Sequence, residues 1–442
     1  MQINGIIFEI AMKIVEKAWG SEQWIANNSK YCGKILNLKQ GFRCSKHLHK
    51  EKDETFYLLE GKVALELGNK TILLKPGDSA HVLQNTLHSF AGLEDSRIIE
   101  FSTTHSDADS YRKTKSGAIP LNQIFAEMKQ KKILVVGDVM LDEFVIGNVE
   151  RMSPEAPVPV IDVKEIKHTL GGAANTANNI SALGARAVVA GIIGNDAEGK
   201  LLRKLIANAK IDSSCLFAAK RKTTKKSRLL AGAQQIARID SEATEKISRP
   251  EEAKLIKSIK NKFKGIDAVI VCDYNKGVIT KNVADFLSGI CKKNGKPLLV
   301  DSKNFMSLKV RGAFLLKPNE KELANETAMK TGSEKSFENA ARKFYSALKP
   351  EFLVVTRGAK GISVFDGKKF SSMGTRAEKI VDITGAGDTV IAALALGAAC
   401  GLDVFAAVEL ANYAAGIVIK KPGTSVATPE ELNNFFMEGD CR

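Results

Sequence analysis

Aromatic residues are scarce, at 6% of 442, with two tryptophans. No stretch interleaves them with arginine, so the chain offers no stacking platform for bases and no nucleic-acid partner is expected. Long apolar runs are also missing. None approaches the ~18 residues of a membrane-spanning helix, so no membrane partner is expected. The longest, Val390–Cys400, lies between Asp388 and Asp403 and reads as a buried helix. Seven cysteines are scattered without a CxxC pair. That pattern argues against a disulfide framework or a zinc ribbon and for a reducing, cytoplasmic setting. The N-terminal stretch carries Glu9 and no small-residue cleavage site, unlike a secretory signal.

What is present is a globular balance, 44% hydrophobic and 26% charged, long enough for two or three domains. The formal charge of +15 suits anionic partners. With stacking platforms absent, small phosphates are favoured. Histidine usage divides the chain: His47, His49, His81, His88 and His105 precede residue 106, and only His168 follows.

Texture changes at the same place. Before it, short strand-like runs at 31–38, 54–61, 62–68, 70–77 and 97–103 are separated by Gly, Pro, Asn and Asp turns, which reads as an all-β barrel. After it, apolar strands alternate with helical stretches, the pattern of a parallel, doubly wound α/β sheet. The expected organisation is a β domain over 1–112, a linker and lead-in helix over 113–130, and an α/β domain over 131–442.

In the first region, His47 and His49 are two apart. Strand residues i and i+2 point the same way, so both imidazoles can reach one ion. A turn can return Glu54, and His88 follows the Pro76-Gly77-Asp78 turn. Three imidazoles and a carboxylate suit a divalent transition metal, with Mn, Fe, Ni, Co and Zn all compatible. Gly41 to Gly61 and Pro76 to His88 resemble the two motifs of the cupin superfamily, in the form found in cupins similar to mannose-6-phosphate isomerase. The resemblance implies metal ligands His47, His49, Glu54 and His88, with His81 as an alternative fourth. Glu100 and His105 are candidates for additional acid–base groups.

The sharpest signal in the chain is Asp382-Ile-Thr384-Gly385-Ala386-Gly387-Asp388, leading into an apolar helix. A Gly-rich turn at a helix N-terminus gathers backbone N–H groups where a phosphate can sit. Asp388 beside that cradle is placed to take a proton from an attacking hydroxyl. Gly171-Gly172 followed by Asn175 opens another helix, and Asp138 and Asp142 follow the strand at 132–137, where they can bond sugar hydroxyls. Asn319 and Glu322 lie after the strand at 312–316, where they can orient hydrated Mg²⁺. Thr356 and Gly358 mark a strand running into a turn.

Together these motifs resemble the PfkB, ribokinase-like sugar kinases over residues 119–432. Gly137–Phe144, Arg151–Val160, Gln234–Asp240 and Asp382–Val390 are similar to one branch, the heptose-7-phosphate kinase domain of ADP-heptose synthesis. The resemblance implies a two-domain chain, a cupin barrel and a ribokinase-like doubly wound sheet with a small β lid. It also implies transfer of the ATP γ-phosphoryl group to the anomeric hydroxyl of a heptose 7-phosphate. Asp388 is then the base, and Gly385, Ala386 and Gly387 form the anion hole. Asp138, Asp142, Gly171, Gly172 and Asn175 grip the sugar, while Lys226, Arg228 and Lys303 face its phosphate. Asn319 and Glu322 serve Mg²⁺; Thr356, Gly358 and Asn412 line the nucleotide.

Segments 143–169 and 215–240 are expected to build the lid, and a homodimer is expected because such kinases often pair through it. Two departures from the branch are Asp301-Ser302-Lys303-Asn304, where Asp-Pro-Lys-Gly is usual, and Gly232-Ala233 before Gln234 and Gln235, where Arg-Asn is usual. Both are expected where the acceptor is read, which leaves another sugar or sugar phosphate as an alternative. The cupin is expected to isomerise or to sense a sugar phosphate. No HxGH-type nucleotidyltransferase motif follows, so nucleotidyl transfer is expected of another protein.

Overall fold

The computed structural model describes the chain except residues 1, 4–5, 8–12, 69, 93, 114–115, 119, 233, 376–379 and 440–442. It divides into two compact units, residues 1–126 with 430–442, and residues 127–429.

Besides a short two-stranded sheet of Gln2–Ile3 and Ile6–Ile7, the first unit is built from two antiparallel sheets. One runs Ser79–Val82, Glu54–Glu60, Ser96–Ser102, Cys32–Leu38, Gly20–Asn27, Lys13–Lys17. The other is built around His88–Gly92, which pairs with Val63–Leu67 and with the short strands Phe42–Arg43 and His47–Leu48. Cys32–Leu38 alternates buried and half-buried residues along its whole length, the period of a strand with one face on a core. That core gathers Trp19, Leu36, Phe56, Leu58, Phe90 and Ile98, and Trp19 meets Phe90 edge-on at 5.2 Å. This is the barrel anticipated from the strand spacing.

The second unit centres on a nine-stranded sheet ordered Asp212–Ala219, Arg186–Gly194, Lys132–Gly137, Ala268–Asp273, Leu298–Ser302, Leu315–Leu316, Phe352–Thr356, Ile362–Phe365, Phe370–Met373. The first seven run parallel and the last two antiparallel. Ala268–Asp273 is buried at every position, as a strand covered on both faces must be. Because the strands are parallel, the residues following each one emerge on one edge, the usual place for a ligand crevice in an open α/β sheet.

A separate four-stranded sheet is ordered Pro159–Gly172, Val139–Met152, Thr224–Ala231, Gln234–Ser241. It contains the anticipated lid segment 143–169. Of segment 215–240, only the part from Thr224 onward belongs to it. Cys215 lies in the edge strand of the central sheet, buried in the main core, because its neighbours there are apolar and the lid offers no core to enter. Helix Pro120–Met128 follows the expected linker. Among the described residues no helix is long and apolar enough to cross a membrane.

Candidate functional sites

In the first unit, the ligand atoms of His47, His49, Glu54 and His88 all lie within 4.8 Å of one another. The register that pairs His88 with His47 across the sheet brings the two distant sequence segments together. Each imidazole has its Nδ1 against a backbone carbonyl: His47 with Ser45 at 2.6 Å, His49 with Asp109 at 2.9 Å, His88 with Thr86 at 2.9 Å. A carbonyl only accepts, so Nδ1 carries the proton and each Nε2 presents a lone pair. Burial pushes the His47 imidazole down to about 4 and lowers that of His49, so both are neutral near pH 7. Burial works against ionisation of Glu54, but the Lys52 ammonium beside it favours it, and the carboxyl is held well below its usual range. Glu54 Oε1 and His88 Nε2 are buried without a hydrogen-bond partner. Three imidazoles and an ionised carboxylate, with buried atoms of Glu54 and His88 left without a hydrogen-bond partner, are the donor set a divalent cation requires, so the four residues fit the metal the cupin motifs imply. His81 is not among them: it is exposed and pairs with Asp53.

Three of the four, His47, His49 and Glu54, border a cavity of about 510 Å³. Two lysines that the motifs do not reveal are buried in its wall. Lys52 Nζ lies 2.5 Å from Glu54 Oε2 and 2.5 Å from Glu100 Oε1. Lys34 Nζ lies 3.7 Å from Glu100 and 3.1 Å from His105 Nδ1. Glu100 and His105, both anticipated, therefore line this cavity within a charged network.

In the second unit a cavity of about 440 Å³ opens at the C-terminal edge of the sheet. Helix Ala386–Ala399 starts there from Gly385, whose φ of +80° favours glycine. A Cβ at that position would also come within 2.8 Å of the Asn175 amide. Gly385, Ala386 and Gly387 line the cavity at the helix N-terminus, with Asp388 in the first turn. Both carboxylate oxygens of Asp388 are held: Asn175 Nδ2 donates to Oδ2 at 2.7 Å, and the Tyr274 hydroxyl donates to Oδ1. Burial pushes the Asp388 carboxyl up to about 6, against the pull of these two donors.

One end of the cavity is bordered by the lid sheet. Strands Val139–Met152 and Thr224–Ala231 run parallel and set Asp142 opposite Lys226. Arg228 Nη1 donates to Asp142 Oδ1 at 2.9 Å, and its guanidinium lies over the Phe144 ring. Burial lowers the Lys226 ammonium pKa, against the pull of Asp142. Asp142, Gly172, Lys226, Arg228 and Lys303 all line the cavity. Gly171 stands behind it: a Cβ there would lie 2.8 Å from Asp142 Oδ2. Asn175 also faces Asp388 rather than the cavity wall.

Asp138 does not line the cavity. Its carboxylate accepts the backbone N–H groups of Tyr274 at 2.8 Å, Lys276 at 3.0 Å and Val278 at 3.2 Å. Its oxygens thus hold the loop that follows strand Ala268–Asp273. Ser302 is buried beneath the cavity: it donates to Asp273 and accepts from the Asn304 N–H. That departure from the branch pattern therefore reaches the cavity only through Asp301 and Lys303. Gly232 sits at the lid hairpin, and Ala233 lies outside the described residues.

At the opposite end, Asn319 and Glu322 form a reciprocal capping box that starts helix Glu320–Thr327, with both bonds at 2.8 Å. The other Glu322 oxygen pairs with Lys303. Thr356 and Gly358 line the cavity, as does Asn412, which donates to the Gly374 carbonyl. Two further cavity residues carry no motif. Tyr274 follows strand Ala268–Asp273, and Lys317 precedes Pro318. Lys317 is buried with Nζ 2.9 Å from Asp301 Oδ2. Burial opposes its charge, but Asp301 outweighs that cost and holds the ammonium above its usual range.

The family model for pfkB family carbohydrate kinases matches residues 130–431, and that for the cupin domain matches residues 34–101. The bifunctional protein HldE of Desulfatibacillum aliphaticivorans is 40% identical over 303 residues, 68% of this chain and 62% of that protein. The bifunctional protein HldE of Helicobacter hepaticus is 38% identical over 311 residues, 70% of this chain and 64% of that protein. The chain thus spans less than two thirds of these relatives. Among solved structures, Arabidopsis thaliana ribokinase complexed with ribose and ATP aligns over 69% of this chain and 98% of its own, with TM-score 0.55 and 21% identity. Escherichia coli phosphofructokinase-2 in complex with potassium aligns over 70% and 99%, with TM-score 0.60 and 20% identity. These two likenesses are of fold.

Proposed function

The chain belongs to the pfkB family of carbohydrate kinases, and from that premise we propose that it moves the γ-phosphoryl group of ATP to the anomeric hydroxyl of a heptose 7-phosphate, giving the 1,7-bisphosphate. The observation that carries this reading is a buried carboxylate, Asp388, at a glycine-lined helix N-terminus, in one cavity with the cations of the lid. The branch motifs quoted above supply the identity of the sugar.

In this reading Asp388 accepts the proton of the attacking hydroxyl. The N–H groups of Gly385, Ala386 and Gly387 take the charge that develops on the phosphoryl oxygens. Asp142 and the Gly172 backbone orient the sugar, and Lys226, Arg228 and Lys303 meet its phosphate. Thr356, Gly358 and Asn412 border the nucleotide. Mg²⁺ neutralises the triphosphate when bound. Both Glu322 oxygens are already engaged, so Asn319 and Glu322 would reach that ion through its water shell, which Mg²⁺ readily keeps. A homodimer belongs to this reading, supported by the exposed Met152, Val158, Ile166 and Ile239 of the lid sheet. Its mass in solution tests it.

The test of the activity is ATP consumption with D-glycero-D-manno-heptose 7-phosphate, compared between the native protein and Asp388→Asn. Turnover lost in the variant supports the reaction and the base. No native turnover, with turnover of another sugar phosphate in a panel, replaces the acceptor.

For the first unit we infer a metal-dependent cupin that isomerises or epimerises a sugar phosphate. His47, His49, Glu54 and His88 would hold a divalent transition metal, which when bound polarises a carbonyl oxygen. The charged residues of the cavity wall favour this over a purely structural barrel. Loss of interconversion in Glu54→Ala with the fold intact supports it. Absence of any turnover across phosphosugars at saturating metal rejects it in favour of a regulatory cupin.

A further inference from the structure

We propose that Tyr274 is a positioning residue for the acceptor step: its phenol donates to Asp388 and aims that carboxylate, and Asp138 holds the loop that delivers the phenol. The inference rests on the reading of Asp388 as the base.

The geometry has three parts. First, the two oxygens of Asp388 are gripped from two different elements, by Asn175 on helix Ala173–Ala182 and by Tyr274 just past strand Ala268–Asp273. Two donors fix the plane of a carboxylate where one would leave it free to rotate. Each oxygen has two lone pairs, so an acceptor hydroxyl can still bond the gripped carboxylate. Second, Tyr274 lines the cavity, with the ammonium groups of Lys226 and Lys303 at 5.8 Å and 6.0 Å from its ring centroid. Its hydroxyl nonetheless turns to Asp388. Third, the loop carrying Tyr274 is tied down by three backbone N–H bonds to Asp138. This assigns Asp138 an effect on chemistry that it does not touch.

The chemistry follows from which partner can hold the proton. Burial and the nearby carboxylates push the Tyr274 phenol well above its ordinary range, so it stays protonated and serves as a donor. A donor to the ionised form stabilises that form. The other groups acting on Asp388 are the Asp301 carboxylate, which disfavours its charge, and the Lys317 ammonium, which favours it. The Cys272 thiol, one residue before Asp273, stays protonated. Tyr274→Phe removes the phenol hydroxyl and keeps these groups in place.

The experiment follows kcat against pH for the native protein, Tyr274→Phe and Asp388→Asn, with ATP, Mg²⁺ and heptose 7-phosphate. In parallel, the infrared carboxyl band lost in Asp388→Asn is titrated in the native protein and in Tyr274→Phe, without acceptor. Loss of one hydrogen bond to a buried charge is expected to move the Asp388 midpoint up by about one pH unit. The acid limb of kcat moves with it, and KM for ATP stays within about twofold. An unmoved infrared midpoint overturns the proposal whatever the acceptor. Turnover retained in Asp388→Asn overturns the base reading itself. Asp138→Asn, checked for folding by circular dichroism, is expected to move the same midpoint, and the double variant to move it no further than Tyr274→Phe. A folded Asp138→Asn with the native midpoint overturns the part assigned to Asp138.

Discussion

His88 Nε2 lies 2.7 Å from Glu54 Oε1, while the Nδ1 of the same ring is committed to the Thr86 carbonyl. Neither of the two facing atoms has a hydrogen-bond partner in this buried site, and a cation would bind both. His88→Ala and Glu54→Ala are each expected to lower bound metal from about one equivalent to well below half, since each removes one of four ligands. Metal content after dialysis measures this. Metal removal from the native protein is expected to lower its melting temperature, because a ligand held only by the folded state stabilises it.

Asp388→Asn is expected to lower kinase turnover by about 10²-fold or more, the scale of a lost general base. ATP binding, followed by calorimetry, should change little, because in the proposed reading Asp388 serves the acceptor hydroxyl.

The same substitution has a stability consequence of opposite sign. The Asp388 carboxyl is raised to about 6 in the folded state, above its unfolded value. A raised carboxyl contributes fully below the unfolded pKa and loses that contribution as pH rises through the folded one, so its ionisation costs stability at pH 8. Asp388→Asn is therefore expected to be more stable than the native protein at pH 8, by about 1–2 kcal/mol. The gain should shrink as pH falls from 7 toward 4. Denaturant midpoints across that range measure it.

Lys226→Met and Arg228→Met should separate acceptors by charge. Each is expected to raise KM for heptose 7-phosphate about tenfold, the scale of one lost charge-assisted bond. KM for an unphosphorylated heptose should stay nearly unchanged. Equal effects on both sugars would remove these residues from the phosphate subsite.

Lys317→Met leaves Asp301 buried without its cation and is expected to cost about 3–5 kcal/mol. The double variant Lys317→Met/Asp301→Leu should recover most of that stability. If Lys317 also faces the triphosphate, as its place beside Gly387 suggests, the recovered double variant will still be a poor kinase. Unfolding curves and turnover on the same samples measure both.

Local signals were readable where the chemistry is contiguous. The two-residue spacing of His47 and His49 needs only the alternation of a strand. The Gly385-Ala386-Gly387-Asp388 turn announces a helix N-terminus and a carboxylate in its first turn. Lid membership was misjudged at Cys215, because a short apolar run looks the same in an edge strand of the main sheet as in a small separate one. Asp138 looked like a sugar ligand because it ends a strand, where ligands gather. Only the course of the loop at 274–278 reveals that its oxygens accept three backbone N–H groups.

By itself the sequence determined two chemistries in one chain: a histidine-rich barrel and an α/β kinase with a carboxylate at a glycine turn. These are carried by residue type, periodicity and short spacing, which survive any folding of the rest. Tertiary structure alone decided which groups meet across long separations. Tyr274 reaches Asp388, Lys317 reaches Asp301, and His88 closes on Glu54 because neighbouring strands fall into one order and one register. That order is set by the packing of whole sheets and leaves no mark on the few residues that meet.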